Sequence, residues 1–277
     1  MTYNFNSQIL YQLPPELETA QRAIFYGDGL FETIRMFDGQ LPFLRQHLDR
    51  LFGGLNALGM LIPPSWTPDF FEREIRKLTS RSARIRLSVW RTPGGLYFPE
   101  HNDPVFLISS APLPEAAFTW RQEGVRLGIC ETVRLPVDSF SSFKTLNAPR
   151  YVAAAREARG KGWDDGLLLN AFDRIAEATS SNLFWKEGAE WYTPPLSEGC
   201  VAGTMRAHVA QLIRAAGATL LEKPLLPDHL VRAQEIFLTN AIQGIVPVRI
   251  FAGNTPGSES SQTLFEKLIH SVSGLSL

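Results

Sequence analysis

The chain has 277 residues, 44% hydrophobic and 20% charged, with 27 Lys and Arg against 28 Asp and Glu. That length buries a core for one large or two modest domains, and a net charge of -1 lacks the basic footprint that nucleic acid or an acidic membrane surface requires. No apolar run approaches the roughly 20 residues of a membrane span, and the opening MTYNFNSQIL has no basic stretch ahead of an apolar core. Cys130 and Cys200 are too few for a disulfide framework, and the five histidines show no metal-ligand spacing. These features predict a cytoplasmic α/β or α+β protein without a metal.

Leu30–Phe37 reads as a strand, turned by Asp38-Gly39 into Gln40–Phe43. Leu44, Leu48, Leu51, Leu55 and Leu58 recur at helical spacing until Gly59, and Pro68 opens a second helix through Phe71, Ile75 and Leu78. Ala83–Arg91 and Val105–Ser109 are strand-like. The proline-bearing stretch 111–123 is a candidate linker; it divides a small N-terminal α/β domain (1–115) from a larger C-terminal one (123–277). There, Val125–Val133 reads as a strand, and Asn147 is placed to cap a helix with Pro149 in its first turn. Strands follow at Gly166–Leu169, Ile175–Ala178, Leu183–Trp185 and Glu190–Thr193, then a helix from about Met205 to Ala216. Glu235–Thr239 and Ile245–Phe251 are further strands, and a short helix covers about 261–271. Many short strands with few helices predict an α+β protein with a barrel-like sheet.

Three features carry chemistry. Only six of the 27 basic residues are lysines, and Lys144 alone lies in a stretch, Ser141–Asn147, with no other charge. A lysine among small and apolar residues loses its proton more readily, which suits a Schiff-base amine; the plain alternative is a loop lysine with its head in water. Glu177 precedes a cluster of hydroxyl and amide residues, Thr179-Ser180-Ser181-Asn182, which is either a polar site on a sheet face or a turn at a strand end. Gly203-Thr204 opens a helix whose free N–H groups suit an anion, unless Thr204 is simply its cap.

Order and spacing strengthen the set. The string Glu177-x-Thr179-x-x-Asn182-Leu183-Phe184, followed by Thr193 and then Gly203-x-x-Arg206, resembles the signature of class IV aminotransferases, the pyridoxal-phosphate enzymes of fold type IV. That family includes branched-chain and D-amino-acid aminotransferases and aminodeoxychorismate lyase. Tyr26-Gly27-Asp28-Gly29-Leu30-Phe31-Glu32, His47-Leu48-Asp49-Arg50-Leu51, Lys144-Thr145-Leu146-Asn147 and Thr239-Asn240-Ala241 resemble further family motifs in family order.

The resemblance implies roles for these residues. Lys144 would be the catalytic lysine that carries pyridoxal phosphate, and Glu177 would pair with the pyridine nitrogen. Arg50 would grip the phosphate as a planar fork. Backbone N–H groups near Gly203, Thr204, Met205, Asn240 and Ala241 would complete the phosphate cradle, with Ser181 and Asn182 beside the cofactor. Phe31, Arg91 and Tyr97 are candidate substrate contacts, Arg91 for a carboxylate. Pro149, Met205 and Ala241 depart from the family pattern, the last two by removing a side-chain hydroxyl. The implied fold is that of D-amino-acid aminotransferase and the implied assembly a homodimer. The implied activity is transfer of an amino group between an amino acid (branched-chain or D-) and a 2-oxo acid. The alternatives are a pyruvate-releasing aminodeoxychorismate lyase and a cofactor-binding protein without turnover.

Overall fold

The structure is a computed structural model that describes residues 3–5, 8–10 and 15–273. The chain starts with a short hairpin, β1 (Tyr3–Phe5) and β2 (Gln8–Leu10), then two short helices, α1 (Pro15–Thr19) and α2 (Gln21–Tyr26). Next come β3 (Gly29–Met36), α3 (Leu44–Ala57), α4 (Pro68–Arg76), β4 (Ala83–Arg91) and β5 (Pro104–Pro112). β3, β4 and β5 form an antiparallel sheet in that order. Alternate residues of β4 are buried, as a half-covered sheet requires. Leu48, Leu51 and Leu55 of α3 and Phe71 and Ile75 of α4 cover that face, packing on Leu30, Ile34 and Met36. The Asp38-Gly39 turn forms, but pairing with the following segment stops after Phe37 and Gln40. Leu41 packs into the small core and Phe43 caps the start of α3, so β3 pairs with β4 instead.

After residues 113–124 a second sheet begins. Its elements are β6 (Val125–Leu135), α5 (Pro149–Gly160), β7 (Asp165–Asn170), β8 (Ile175–Ala178), β9 (Asn182–Glu187), β10 (Glu190–Thr193) and α6 (Thr204–Ala215). β11 (Leu220–Glu222), α7 (Pro227–Leu230), β12 (Glu235–Asn240), β13 (Gly244–Phe251) and α8 (Glu259–Ser273) complete it. The strand order is β11-β10-β9-β12-β13-β6-β7-β8, a mixed sheet curled into a half-barrel, in keeping with the expected α+β class. Alternation divides its residues between two cores. Leu183, Trp185, Ile236 and Leu238 point into the barrel. Phe184 and Phe237 point outward, stacked 4.9 Å apart, beneath Val209 and Ile213 of α6 and Leu268 of α8.

One expected cap does not form. The N-cap of α5 is Ala148, with no side-chain hydrogen bond. Leu146 N–H is already committed to Gly29 O at 2.9 Å, so the chain enters the helix from an extended pairing rather than from an Asn cap. Among the described residues no helix is long and apolar enough to cross a membrane. Because Phe237 is fully buried in a stacked pair, Phe237→Ala should lower the unfolding free energy by about 3–5 kcal/mol, read as a shift of the urea midpoint.

Candidate active site

The segment carrying Lys144 leaves the eight-stranded sheet and lies against the three-stranded one. Phe31 N–H donates to Lys144 O at 2.8 Å, and Thr145 bridges Leu30 in antiparallel fashion. Lys144 is thereby held as a fourth, partial strand on β3. Helix α3 comes close behind it because Gly54 has no side chain: a Cβ there would lie 2.5 Å from Leu30 Cδ1 and 3.1 Å from Phe143 Cγ. Lys144 Nζ sits 4.9 Å from the centre of the Phe31 ring. Burial, reinforced by the nearby Arg50 charge, lowers the lysine's proton affinity against the pull of Glu177 and Glu32, so the amine is neutral more often than a surface lysine.

Glu177 closes the other side of the same cavity. Tyr151 Oη donates to its Oε1 at 2.6 Å, while Asn182 Nδ2 and Val201 N–H donate to Oε2, each at 3.1 Å. Burial pushes the carboxyl up to about 7, against the Tyr151 hydrogen bond and the attraction of Lys144. Asn182 also donates to Val201 O at 2.9 Å, so one amide ties the carboxylate to the loop ahead of α6.

That loop presents free backbone donors that suit an anion. Gly203 is the N-cap of α6 and no side chain caps the helix, leaving the first-turn N–H groups to face the cavity end. A Cβ on Gly203 would fall 1.9 Å from Asn182 Oδ1, so only glycine allows this approach. Arg50 Nη1 donates to Ala202 O at 2.8 Å, and Nε and Nη2 donate to Glu32. The fork expected to grip an anion is thus half engaged, and one N–H on each terminal nitrogen remains. His47 Nδ1 lies 2.7 Å from Glu32 Oε2 and its Nε2 is 3.3 Å from Thr204 Oγ1. Burial keeps this histidine neutral, against the pull of Glu32; Nδ1–H therefore donates to the carboxylate and Nε2 accepts from Thr204. Burial alone would raise the Glu32 carboxyl, but Arg50 and His47 together hold it at about 2.

A second turn faces the first. Asn240 Nδ2 donates to Ser181 Oγ at 2.9 Å and its Oδ1 accepts from Ile242 and Gln243 N–H. Thr239 Oγ1 lines the cavity, buried and without a partner. An orphaned hydroxyl, a glycine approach and two sets of backbone donors fit a bound phosphate. The whole cavity is about 1090 Å³, ample for a cofactor and a substrate together.

The amino-transferase class IV family model matches residues 29–251. The chain belongs to the class IV aminotransferases. It is 32% identical to an aminodeoxychorismate lyase of Vibrio harveyi, over 82% of this chain and 84% of that one. It is 29% identical to a Methanocaldococcus jannaschii protein assigned as a branched-chain-amino-acid aminotransferase, over 97% and 94%. The crystal structure of 4-amino-4-deoxychorismate lyase from Pseudomonas aeruginosa superposes with a TM-score of 0.81 at 29% identity, covering 94% of this chain and 95% of that one. Its relatives are pyridoxal-phosphate-dependent enzymes, and the chain is an enzyme of the same family.

Within this class IV fold the expected residues divide. Lys144, Arg50, Glu177, Ser181, Asn182, Gly203, Thr204, Asn240 and Ala241 line one cavity. Met205 also lines it, although its side chain packs into the core with Val209 and Phe237, which leaves only its backbone to face the cavity. Phe31 lies under Lys144, and Tyr97, 91% exposed, stands at the cavity mouth 5.4 Å from the Tyr26 ring. Arg91 is the exception. Its Nε and Nη2 donate to Asp28, Nη2 to Leu58 O, and Nη1 to Asn102. Four of its bonds are taken by the protein, so Arg91 braces the cavity wall and its fork is not open to a substrate carboxylate. Thr193 and Arg206 of the signature string also point away: Thr193 donates to Leu183 O, and Arg206 to Pro194 O and Glu222. Tyr151 is a site residue with no place in any sequence motif, and Thr239 belongs to the Thr239-Asn240-Ala241 motif without a role assigned from sequence. Nothing in the sequence links Tyr151 to Glu177.

Two pH effects follow for the ligand-free protein. Glu32 is held below the ordinary carboxylate value, so its stabilisation is present above about pH 4.5 and is lost as pH falls toward 2. Glu32→Gln should remove that acid limb and lower stability by about 3–5 kcal/mol at neutral pH by leaving Arg50 unpaired, checked by urea unfolding at pH 4 and 7. Glu177 is shifted the other way, so the folded state loses stability as pH rises from 4.5 through 7. Glu177→Gln should flatten that loss in thermal melts taken at pH 5 and 8.

Proposed function

We propose that the chain is a pyridoxal-phosphate-dependent aminotransferase that moves an amino group between an amino acid, branched-chain or D-, and a 2-oxo acid. The observation that carries this reading is a single cavity lined by a lysine of lowered proton affinity, a buried carboxylate and two anion-binding turns. When bound, pyridoxal phosphate supplies an electron sink for the pair left on the substrate α-carbon.

The protein's own groups do the rest. Lys144 Nζ, neutral part of the time, takes the proton from the α-carbon and later returns it. Glu177 would pair with the cofactor's ring nitrogen, and Tyr151 and Asn182 keep its two oxygens oriented for that. The spare N–H pair of Arg50, the N-terminus of α6 and Thr239 Oγ1 would hold the phosphate. The Phe31 ring beneath Lys144 keeps water from one side of the amine. In this reading the enzyme works in the cytoplasm as a homodimer, in which the exposed Leu96, Tyr97 and Phe98 are covered by the second copy.

A second reading has its own support. Asn240-Ala241 places an amide and a methyl group in the second turn, and a relative 32% identical is named an aminodeoxychorismate lyase. The same site would then eliminate pyruvate from an aminodeoxychorismate substrate, with Lys144 taking the α-proton. Purified protein should absorb as a lysine-bound pyridoxal phosphate, and Lys144→Ala should lose that band and drop turnover by at least about 100-fold. An amino acid alone should convert the spectrum to the pyridoxamine form if the enzyme transaminates. Pyruvate release from aminodeoxychorismate with no 2-oxo acid present would favour the lyase, and a colourless protein that cannot be reconstituted would sink both.

A further inference from the structure

Arg35 is a buried cation that hydrogen-bonds to no carboxylate. It lies on β3, two and four residues beyond Thr33 and Phe31, both of which line the cavity, and so shares their face of the strand. Its Nη1 donates to Ile242 O at 2.5 Å, and its Nη2 to Glu115 O and Ala117 O, each at 2.7 Å. The guanidinium lies 5.1 Å from the ring centres of both Phe37 and Phe118, and its Nε has no partner. Removing a charge from water is expensive, and three carbonyls, two ring faces and the more distant charge of Glu115 return only part of the loss, since burial still lowers the proton affinity of Arg35. A cation kept in such a place calls for a function that an apolar residue of the same size would not supply.

Its position suggests one. Ile242 follows Ala241, and the turn from Thr239 to Gln243 faces the anion cradle. Ala241 has only a methyl side chain, so its contribution to an anion is its backbone N–H, whose aim depends on how the turn is held. Asn240 holds the turn from within, and Arg35 holds it from outside. Arg50 does the same for the other turn, donating to Ala202 O at 2.8 Å. Each phosphate-facing turn therefore has one carbonyl clamped by an arginine from the three-stranded sheet or the helix packed on it.

We propose that Arg35 is a positioning residue for the phosphate end of the cofactor, fixing the Thr239–Gln243 turn and adding a fixed positive charge behind it. This rests on the pyridoxal-phosphate reading above. Because Arg35 also holds residues 115 and 117, the segment between the two sheets is set by the same guanidinium. Arg35 contacts no substrate, so its effect falls on cofactor affinity rather than on the proton transfer at Lys144.

The test compares pyridoxal phosphate with pyridoxal, which lacks the phosphate, by titrating apoprotein and following absorbance. In Arg35→Met the dissociation constant for pyridoxal phosphate should rise about tenfold or more, the size of one lost charge-assisted hydrogen bond, while that for pyridoxal stays within about twofold, inside the spread of such measurements. Arg35→Lys, which keeps the charge but loses the fork, should fall between. Equal weakening of both ligands, or no weakening of either, overturns the proposal. If the Arg35 variants do not fold, Phe37→Leu, which thins the aromatic seat, must weaken pyridoxal phosphate selectively, and its failure to do so also overturns it. A wild-type protein that binds pyridoxal phosphate no better than pyridoxal removes the cofactor reading and this inference together.

Discussion

The geometry of the site depends on one buried carboxylate. Glu32 belongs to β3, yet its two oxygens receive both Arg50 and His47 from α3. Through Arg50 it reaches Ala202 O, and through His47 the Thr204 hydroxyl, so a side chain of one sheet sets the start of a helix packed on the other. A buried charge pair gains little over well-packed apolar residues, but removing one member leaves the other stranded at high cost. The cluster is therefore better understood as a registration device than as a source of stability. It fixes where the first anion-binding turn stands relative to β3, and hence to everything β3 holds.

β3 also holds the lysine. Lys144 hydrogen-bonds through its backbone to Phe31, one residue before Glu32, and the close approach of α3 at Gly54 leaves no slack behind it. Successive residues of a strand face opposite sides. Glu32 therefore turns toward α3 while Phe31, Thr33 and Arg35 turn toward the cavity. A single eight-residue strand sets the amine, the first turn through Glu32 and the second through Arg35. A register slip of one residue would exchange these two sets, and the eight continuous pairs of β3 with β4 oppose it.

What was legible in the sequence follows the range of the physics. Ala83–Arg91, Ile175–Ala178 and Glu190–Thr193 form strands at the expected boundaries because alternation and β-branched content are local signals. Gly203 and Asn182 were legible as a motif, and the 1.9 Å approach explains why the pair goes together. Asn147 does not cap the helix because Leu146 N–H is bonded to Gly29 O, 117 positions before Leu146 in the chain, which already determines how the helix begins. The sequence offers Arg91 as a carboxylate contact, whereas Asp28, Asn102 and Leu58 engage it from three separate segments. Tyr151 and Arg35 carried no local signal at all. Their partners are a carboxylate 26 residues away and carbonyls 80 to 207 residues away.

The scarcity of charge around Lys144 in the sequence turns out to be a different fact in space. Arg50, Glu177, Glu32 and Arg86 all act on the amine, yet among the described residues none forms an ion pair with it. The reason is that both carboxylates are already satisfied. Glu32 is saturated by Arg50 and His47, and Glu177 takes three donors of its own. A lysine beside an open carboxylate would be locked as an ammonium ion. Here the acids are bound by other groups first, and burial together with Arg50 leaves the amine free to lose its proton. Burial and Arg50 thus set the state of the base, and the acids' own hydrogen bonds leave it without an ion pair.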